Sequence, residues 1–337
     1  MSIIPNIPAD AKWAQYGTAV AGGDGNGNVT NQLSYHAGLF FDDDQTVLIA
    51  DSWNNRIMQW KPGDKNGQVV AGGKVQGNRL DQLSYPTEVL IDKETNSLII
   101  YDEGNGRVVR WSRRTGTTQG EILIDYISCW GLAMDDQRYL YVSDAGRNEV
   151  RKRVIPNIPA DAKWAQYGMT VAGGDGNGNA TNQLSYPAGL FVDDDQTVFI
   201  AVSWNNRIMQ WKPGDKNGQV VAGGKGSGER LDQLKNPTNV LIDKETDSLI
   251  ICDSSNLRVV RWFRRSGTIQ EEILIDNILC AKLAMDDQRY LYVTAYFIPE
   301  VKQCRLGDKN GTVVAGGNGN GAGLNQLHYP TYLFVDR

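Results

Sequence analysis

The sequence predicts an all-β protein: a six-bladed β-propeller of four-stranded antiparallel blades, built from a duplicated three-blade unit. Three observations lead there. Residues 1–151 recur as residues 152–302 without insertion or deletion, so that Trp13 returns as Trp164, Trp53 as Trp204, Trp111 as Trp262 and Met134 as Met285. Each half divides again into three units of about 50 residues, a period typical of stacked repeat architectures. Within each unit, short apolar runs alternate with turn residues and no segment carries a helical period.

The elements follow in order. In the first unit the strands are GLFFD (38–42), TVLIAD (46–51), RIMQW (56–60) and QVVAGG (68–73). Asp-Asp-Gln, Ser-Trp-Asn-Asn and Lys-Pro-Gly-Asp-Lys-Asn-Gly separate them, and these are turn-forming residue types. The second unit runs from Gln82 to Asp125, and the third opens at Cys129 and continues through the insert PNIPADAKWAQYG (156–168) to TVAGG (170–174). Units four to six repeat that order. Strands such as LIIYD (98–102) and YLYVSD (139–144) are apolar on both faces. A half-exposed sheet would alternate polar and apolar, so these sheets are covered on both sides, as in radially stacked blades. Trp60, Trp111, Trp211 and Trp262 end third strands and are expected between blades.

The whole chain, 1–337, reads as a single propeller: 1–151 and 152–302 are its duplicated halves, and 303–337 completes blade six and begins one further repeat. The ends are unusual. TAVAGG (18–23) and GTVVAGG (311–317) are both outermost strands competing for one slot, while YLFVDR (332–337) competes with GLFFD as an innermost strand. The expectation is a chain cut from a longer array, or one with a displaced end.

Bulk properties narrow the function. A net charge of −5 argues against general attraction to nucleic-acid backbones. Basic clusters at Arg110, Arg113 and Arg114 and at Arg151, Lys152 and Arg153 are expected to be a solvated rim. No apolar run approaches a membrane span. The N-terminus has no secretory signal, which points to the cytoplasm if that N-terminus is native. The four cysteines, among them the period-related Cys129 and Cys280, show no metal-ligand spacing and are expected as buried, reduced thiols. Nothing in the composition fixes an oligomeric state.

The pattern Y-P-x-G-L-x-V-D … V-x-I-A-D-S-x-N-x-R-I resembles the NHL-repeat β-propellers. It is carried by Pro187, Gly189, Leu190, Val192 and Asp193, by Asp51, Ser52, Asn54, Arg56 and Ile57, and by VAGGDGNGNATNQLSYPAGL (171–190). The resemblance covers residues 18–337 and implies six blades. Its Asp-x-x-Asn-x-Arg turn is complete at Asp51/Asn54/Arg56, Asp102/Asn105/Arg107 and Asp253/Asn256/Arg258. Blade four has Val202 before Asn205 and Arg207; blade three departs at Arg147 and Glu149, and blade six at Ala295, Ile298 and Glu300. These groups are expected to fix the turn and tie neighbouring blades by charge-assisted hydrogen bonds.

Catalytic residues are not assigned. The two histidines, His36 and His328, are not register-equivalent, and the sequence places no histidine cluster and no set of inner-strand Glu, Asn or Asp. Asp24-Gly-Asn26-Gly-Asn28 and Asp175-Gly-Asn177-Gly-Asn179 spell the start of a calcium loop, but the glycine and glutamate positions of such a loop hold Val29 and Tyr35, or Ala180 and Tyr186. They read as plain turns, and neither metal nor cofactor is expected. Aromatic residues on turns are the better signal. Trp53, Asn54 and Asn55, their copies Trp204, Asn205 and Asn206, and Tyr35, Tyr85 and Tyr186 share one face in propeller topology. Such a face suits stacking on a sugar or anchoring a peptide. The leading expectation is therefore a non-catalytic module binding a protein, peptide or glycan. The alternatives are a propeller enzyme of the lyase or lactone-hydrolase kind with a channel-mouth metal site, and an RNA-binding NHL propeller.

Overall fold

The computed structural model describes residues 20–22, 25–114, 117–155, 168–264, 271–295, 298–306 and 311–319, together with Leu327, Pro330 and Leu333. Six four-stranded antiparallel sheets, each built from strands consecutive in sequence, stand around a central channel as the blades of a six-bladed β-propeller. The innermost strands are His36–Phe41, Pro86–Asp92, Cys129–Met134, Pro187–Val192, Pro237–Asp243 and Cys280–Met285. The outermost are Gln68–Gly72, Glu121–Ile124, Met169–Gly173, Gln219–Gly223, Glu271–Ile275 and Thr312–Gly316.

Stacking of the blades forms the core. Leu48, Ala50 and Ile57 of blade one meet Val89, Ile91 and Leu98 of blade two, and Trp111 lies in the same cluster. Tyr141, Val150 and Ala172 of blade three pack on Val198, Ile200, Met209 and Trp211 of blade four. The second strands of blades one, two, four and five are wholly buried, and that of blade three is buried after Tyr139, which explains their apolar runs.

The turn motif does more than shape a turn. Asp51 accepts from Arg56 Nε (2.6 Å), Asn54 Nδ2 (2.9 Å) and the Ser34 amide (2.7 Å). Arg56 also donates to the carbonyls of Asn28, Val29 and Gln32, and Asn54 to that of Gly27. One buried ion pair thus pins the long loop that enters the blade, satisfying carbonyls no strand reaches. Ser52 Oγ donates to the Pro86 carbonyl of the next blade at 2.6 Å. The same network recurs at Asp102/Asn105/Arg107 and Asp253/Asn256/Arg258. In blade four, Val202 leaves the Arg207 Nε buried with no partner, and burial depresses the Arg207 pKa. Blade three replaces the motif with Arg151, which bonds Glu149 at 2.7 Å and reaches Asp144 at 3.3 Å.

Several expectations need correction. Most of the basic clusters are not a solvated rim. Arg110 is buried against Glu121, Arg113 pairs with Asp42 at 2.6 Å, Arg151 is buried in its network, and Lys152 lies 3.7 Å over the Tyr139 ring. The long interior stems and the paired carboxylates explain this, because a propeller has little rim between its blades. Cys252 and Cys280 are joined in a disulfide between blades five and six, while Cys129 and Cys304 are buried thiols.

The ends bear on one seam. Thr312–Gly316 fills the outermost slot of blade six. Except for residues 20–22 and Leu333, the stretches 18–23 and 332–337 lie outside the described residues. The face of blade one that would meet blade six, Val47, Ile49, Met58 and Trp60, is packed by Ala21, Leu33, Leu39 and Phe41. On blade six, Tyr292 and Val301 are half-buried and Ala315 is exposed, although in blade three their copies Tyr141 and Val150, and Ala172 at the matching place in the outermost strand, are fully buried.

Candidate functional site: the channel mouth

Every inner strand begins with a register shift in its pairing with the second strand. Such bulges re-aim side chains, and here they do so where the strands converge on the channel. The second residues of the six strands are Ala37, Thr87, Trp130, Ala188, Thr238 and Ala281, and the third are Gly38, Glu88, Gly131, Gly189, Asn239 and Lys282. Ten of these twelve, all but Gly131 and Gly189, line a cavity of about 500 Å³ at the channel mouth, together with Tyr35, Tyr101, Glu103, Cys129, Tyr186, Ser203, Ser254, Leu279 and Cys280.

The third-residue layer holds three glycines and three polar side chains. A Cβ on Gly189 would sit 2.5 Å from Asn239 Nδ2 and 2.6 Å from the Thr238 carbonyl; one on Gly38 would sit 2.6 Å from the Thr87 carbonyl. Glycine at these positions lets the next inner strand approach closely enough to place its own polar side chain. The result is a throat holding Glu88, Asn239 and Lys282. Lys282 Nζ stands 4.0 Å from Glu88 Oε1, an ion pair reaching from blade six to blade two. Burial pushes the Glu88 carboxyl above its ordinary value, against the opposing effects of Lys282 and the Leu132 amide.

Above the throat stand the aromatic residues. Tyr35 stacks on Trp53 with centroids 5.2 Å apart and planes 13° from parallel, and Tyr186 stacks on Trp204 at 4.9 Å and 10°. Trp130 meets Tyr186 at 5.3 Å, tilted by 54°. Trp53 and Trp204 remain 57% and 62% exposed, so neither indole is buried against the next blade. Tyr35, Tyr85 and Tyr186 all sit in the left-handed region, at φ of 48°, 48° and 55°. Such geometry is costly for a bulky residue and is held here by its neighbours. The amides of Tyr85 and Tyr186 donate to Asn55 and Asn148, left-handed turn residues of the preceding blade, at 3.0 and 2.9 Å.

The candidate residues thus fall into groups. Tyr35 and Tyr186 line the cavity, with Trp53 and Trp204 stacked behind them. Tyr85 is exposed but does not line it. The asparagines are half-buried and bonded within the protein: Asn54 holds Asp51 and Gly27, Asn55 accepts from Tyr85, Asn205 bonds Asn179 and Asn206 accepts from Asn236. His36 is exposed at its strand start and His328 lies outside the described residues. Asp175 is bonded by Asn182 at 2.7 Å within its turn, whereas Asp24 lies outside the described residues. No group of three or more metal-ligating side chains occurs among the described residues. Glu88, Asn239, Lys282 and Trp130 escaped the sequence reading, which placed no inner-strand Glu or Asn set. The signal was there in the duplication: Glu88 has Asn239 as its copy, Lys282 has Gly131, and Trp130 has Ala281.

Neither a family model nor a curated protein matches the chain. Solved structures do. Virginiamycin B lyase from Staphylococcus aureus aligns at 15% identity and a TM-score of 0.57, over 82% of this chain and 83% of that one. Its catalytically inactive histidine-to-alanine variant with quinupristin gives 13% and 0.55, over 82% of each chain. The extracellular domain of a one-component system from B. thetaiotaomicron gives 13% and 0.57, over 82% of this chain and 35% of that one. The neighbours are β-propellers. At these identities the likeness is one of fold.

Proposed function

We propose that this protein is a binding propeller of the NHL kind, without catalytic activity, that presents its aromatic channel mouth to a peptide, protein or glycan. The observation that carries this reading is the pair of exposed Tyr–Trp stacks, Tyr35–Trp53 and Tyr186–Trp204, on one face around one cavity. Large, rigid aromatic surfaces lose little entropy on binding and are common anchors of recognition sites. The NHL assignment rests on the Asp-x-x-Asn-x-Arg network, which does the same work in blades one, two and five. Against an enzyme of the lyase kind stands the lining of the cavity, which holds no histidine among the described residues. Against RNA stands the chemistry of the mouth, where Glu88 and Glu103 face a single lysine, Lys282.

The test is a screen of the purified protein on glycan and peptide arrays, with Trp53→Ala/Trp204→Ala alongside. Binding lost in the double variant, with an unchanged melting temperature, is the expected result. A ligand held equally by both proteins would contradict the assignment of the face.

A further inference from the structure

We infer that the throat is a seat for a neutral saccharide, whose terminal ring enters between Tyr35 and the Trp130–Tyr186 wall and places its hydroxyls on Glu88, Asn239 and Lys282. This rests on reading the face as a binding surface, and it adds the ligand class and the residues that select it.

Size comes first. A cavity of about 500 Å³ lies within the usual span of small-molecule sites, roughly 300–1,000 Å³. The wall comes next. Trp130 and Tyr186 meet at 54° and form a corner of two ring faces. A pyranose ring has C–H groups on one face and hydroxyls around its edge. Its apolar face suits an aromatic wall, which leaves the hydroxyls pointing to the floor.

The floor matches hydroxyls. Glu88 Oε1 and Lys282 Nζ are 4.0 Å apart, too far for a direct hydrogen bond, which spans about 2.7–3.2 Å. A hydroxyl donates and accepts through one oxygen, so it fits between an acceptor carboxyl and a donor ammonium. Asn239 adds an amide with both functions, Thr87 adds a hydroxyl, and Ser203, Thr238 and Ser254, whose hydroxyls donate to carbonyls of the next blade, add acceptor oxygens to the lining. The charges favour a neutral ligand. An anion entering the cavity meets Glu88 and Glu103, and a cation meets Lys282.

The experiment is a glycan-array screen of the full chain, followed by calorimetric titration with maltose, cellobiose and lactose. Wild type, Lys282→Ala, Glu88→Gln and Trp53→Ala/Trp204→Ala are compared. Saccharide affinity should fall about tenfold or more in each throat variant, since a hydrogen bond to a charged group contributes about that factor. If Glu88→Gln lowers the melting temperature, Lys282→Gly decides, because glycine is the residue its copy Gly131 carries at this layer. Saccharide binding that survives the throat variants and fails in the tryptophan variant would overturn the throat assignment and leave the face standing. Absence of binding to any neutral saccharide, with peptides captured in a Trp53- and Trp204-dependent way, would overturn the saccharide class alone. No capture of either class would remove both readings.

Discussion

Blades two and three are the duplicates of blades five and six, yet they bring different chemistry to the channel. At the first pair, Tyr101 accepts the Cys129 amide at 3.0 Å, and the channel layer holds Glu88, Trp130 and glycine at 131. At the second, the same two positions are a disulfide, Cys252–Cys280, and the layer holds Asn239, Ala281 and Lys282. The turn networks and second-strand cores of blades two and five, by contrast, are alike in kind. Duplication fixes the parts whose geometry the ring requires. A channel has no such constraint, so its lining is free to diverge and does so on both halves of one cavity.

The largest test of the scaffold side compares blade one with blade four. Asp51→Val makes blade one resemble blade four by leaving Arg56 buried without its carboxylate. Removing one partner of a buried pair costs about 3–5 kcal/mol, and urea denaturation should show a loss in that range. Val202→Asp is the mirror change and should gain roughly 1 kcal/mol by giving the Arg207 Nε a partner. Equal small effects in both directions would mean that the network does not hold the loops.

The disulfide is the next test. It joins residues 28 apart across a blade boundary. Reduction should lower stability by about 3 kcal/mol, the amount expected from releasing a loop of this size. Calorimetry with and without reductant measures this, and Cys252→Tyr, which restores the residue of the first copy, should remove the sensitivity. An unchanged melting temperature under reductant would place no weight on the bridge.

A smaller effect separates the two throat carboxamide and carboxyl positions by pH. Burial raises the Glu88 pKa above its ordinary value of 4.5. The folded state then holds a proton that the unfolded state has released, so stability falls as pH rises from 4.5 through the raised value. Wild type and Asn239→Ala, which keeps the carboxyl, should therefore both lose stability relative to Glu88→Gln across that window. A flat difference between wild type and Glu88→Gln would mean that the carboxyl is well solvated.

Much of this architecture was legible in the residues. The period gave the blades, and the Asp51, Asn54 and Arg56 spacing announced a pinned turn because its members lie within six residues of one another. Tyr35, Trp53, Tyr186 and Trp204 were legible as one face because turns and loops of a propeller alternate between its two ends. The throat was not. Glu88, Asn239 and Lys282 come from three blades, and only the ring of blades and the bulge at each strand start bring them together. In one dimension, PTEVLID against PTNVLID reads as drift. The Cys252–Cys280 bridge was hidden for the same reason, since it crosses a blade boundary that no local spacing marks.

The most direct measurement restores the symmetry of the channel. In Glu88→Asn/Lys282→Gly each residue takes the identity of its own copy, Asn239 or Gly131. The scaffold tolerates both identities at that layer, so the melting temperature should stay within about 1 °C of wild type, a change under about 1 kcal/mol for a chain of this size. Titration with the neutral disaccharides should then show an affinity about a hundredfold lower, the loss of two charge-assisted hydrogen bonds. A folded double variant that binds as wild type does would contradict the claim that the divergent channel layer is the site.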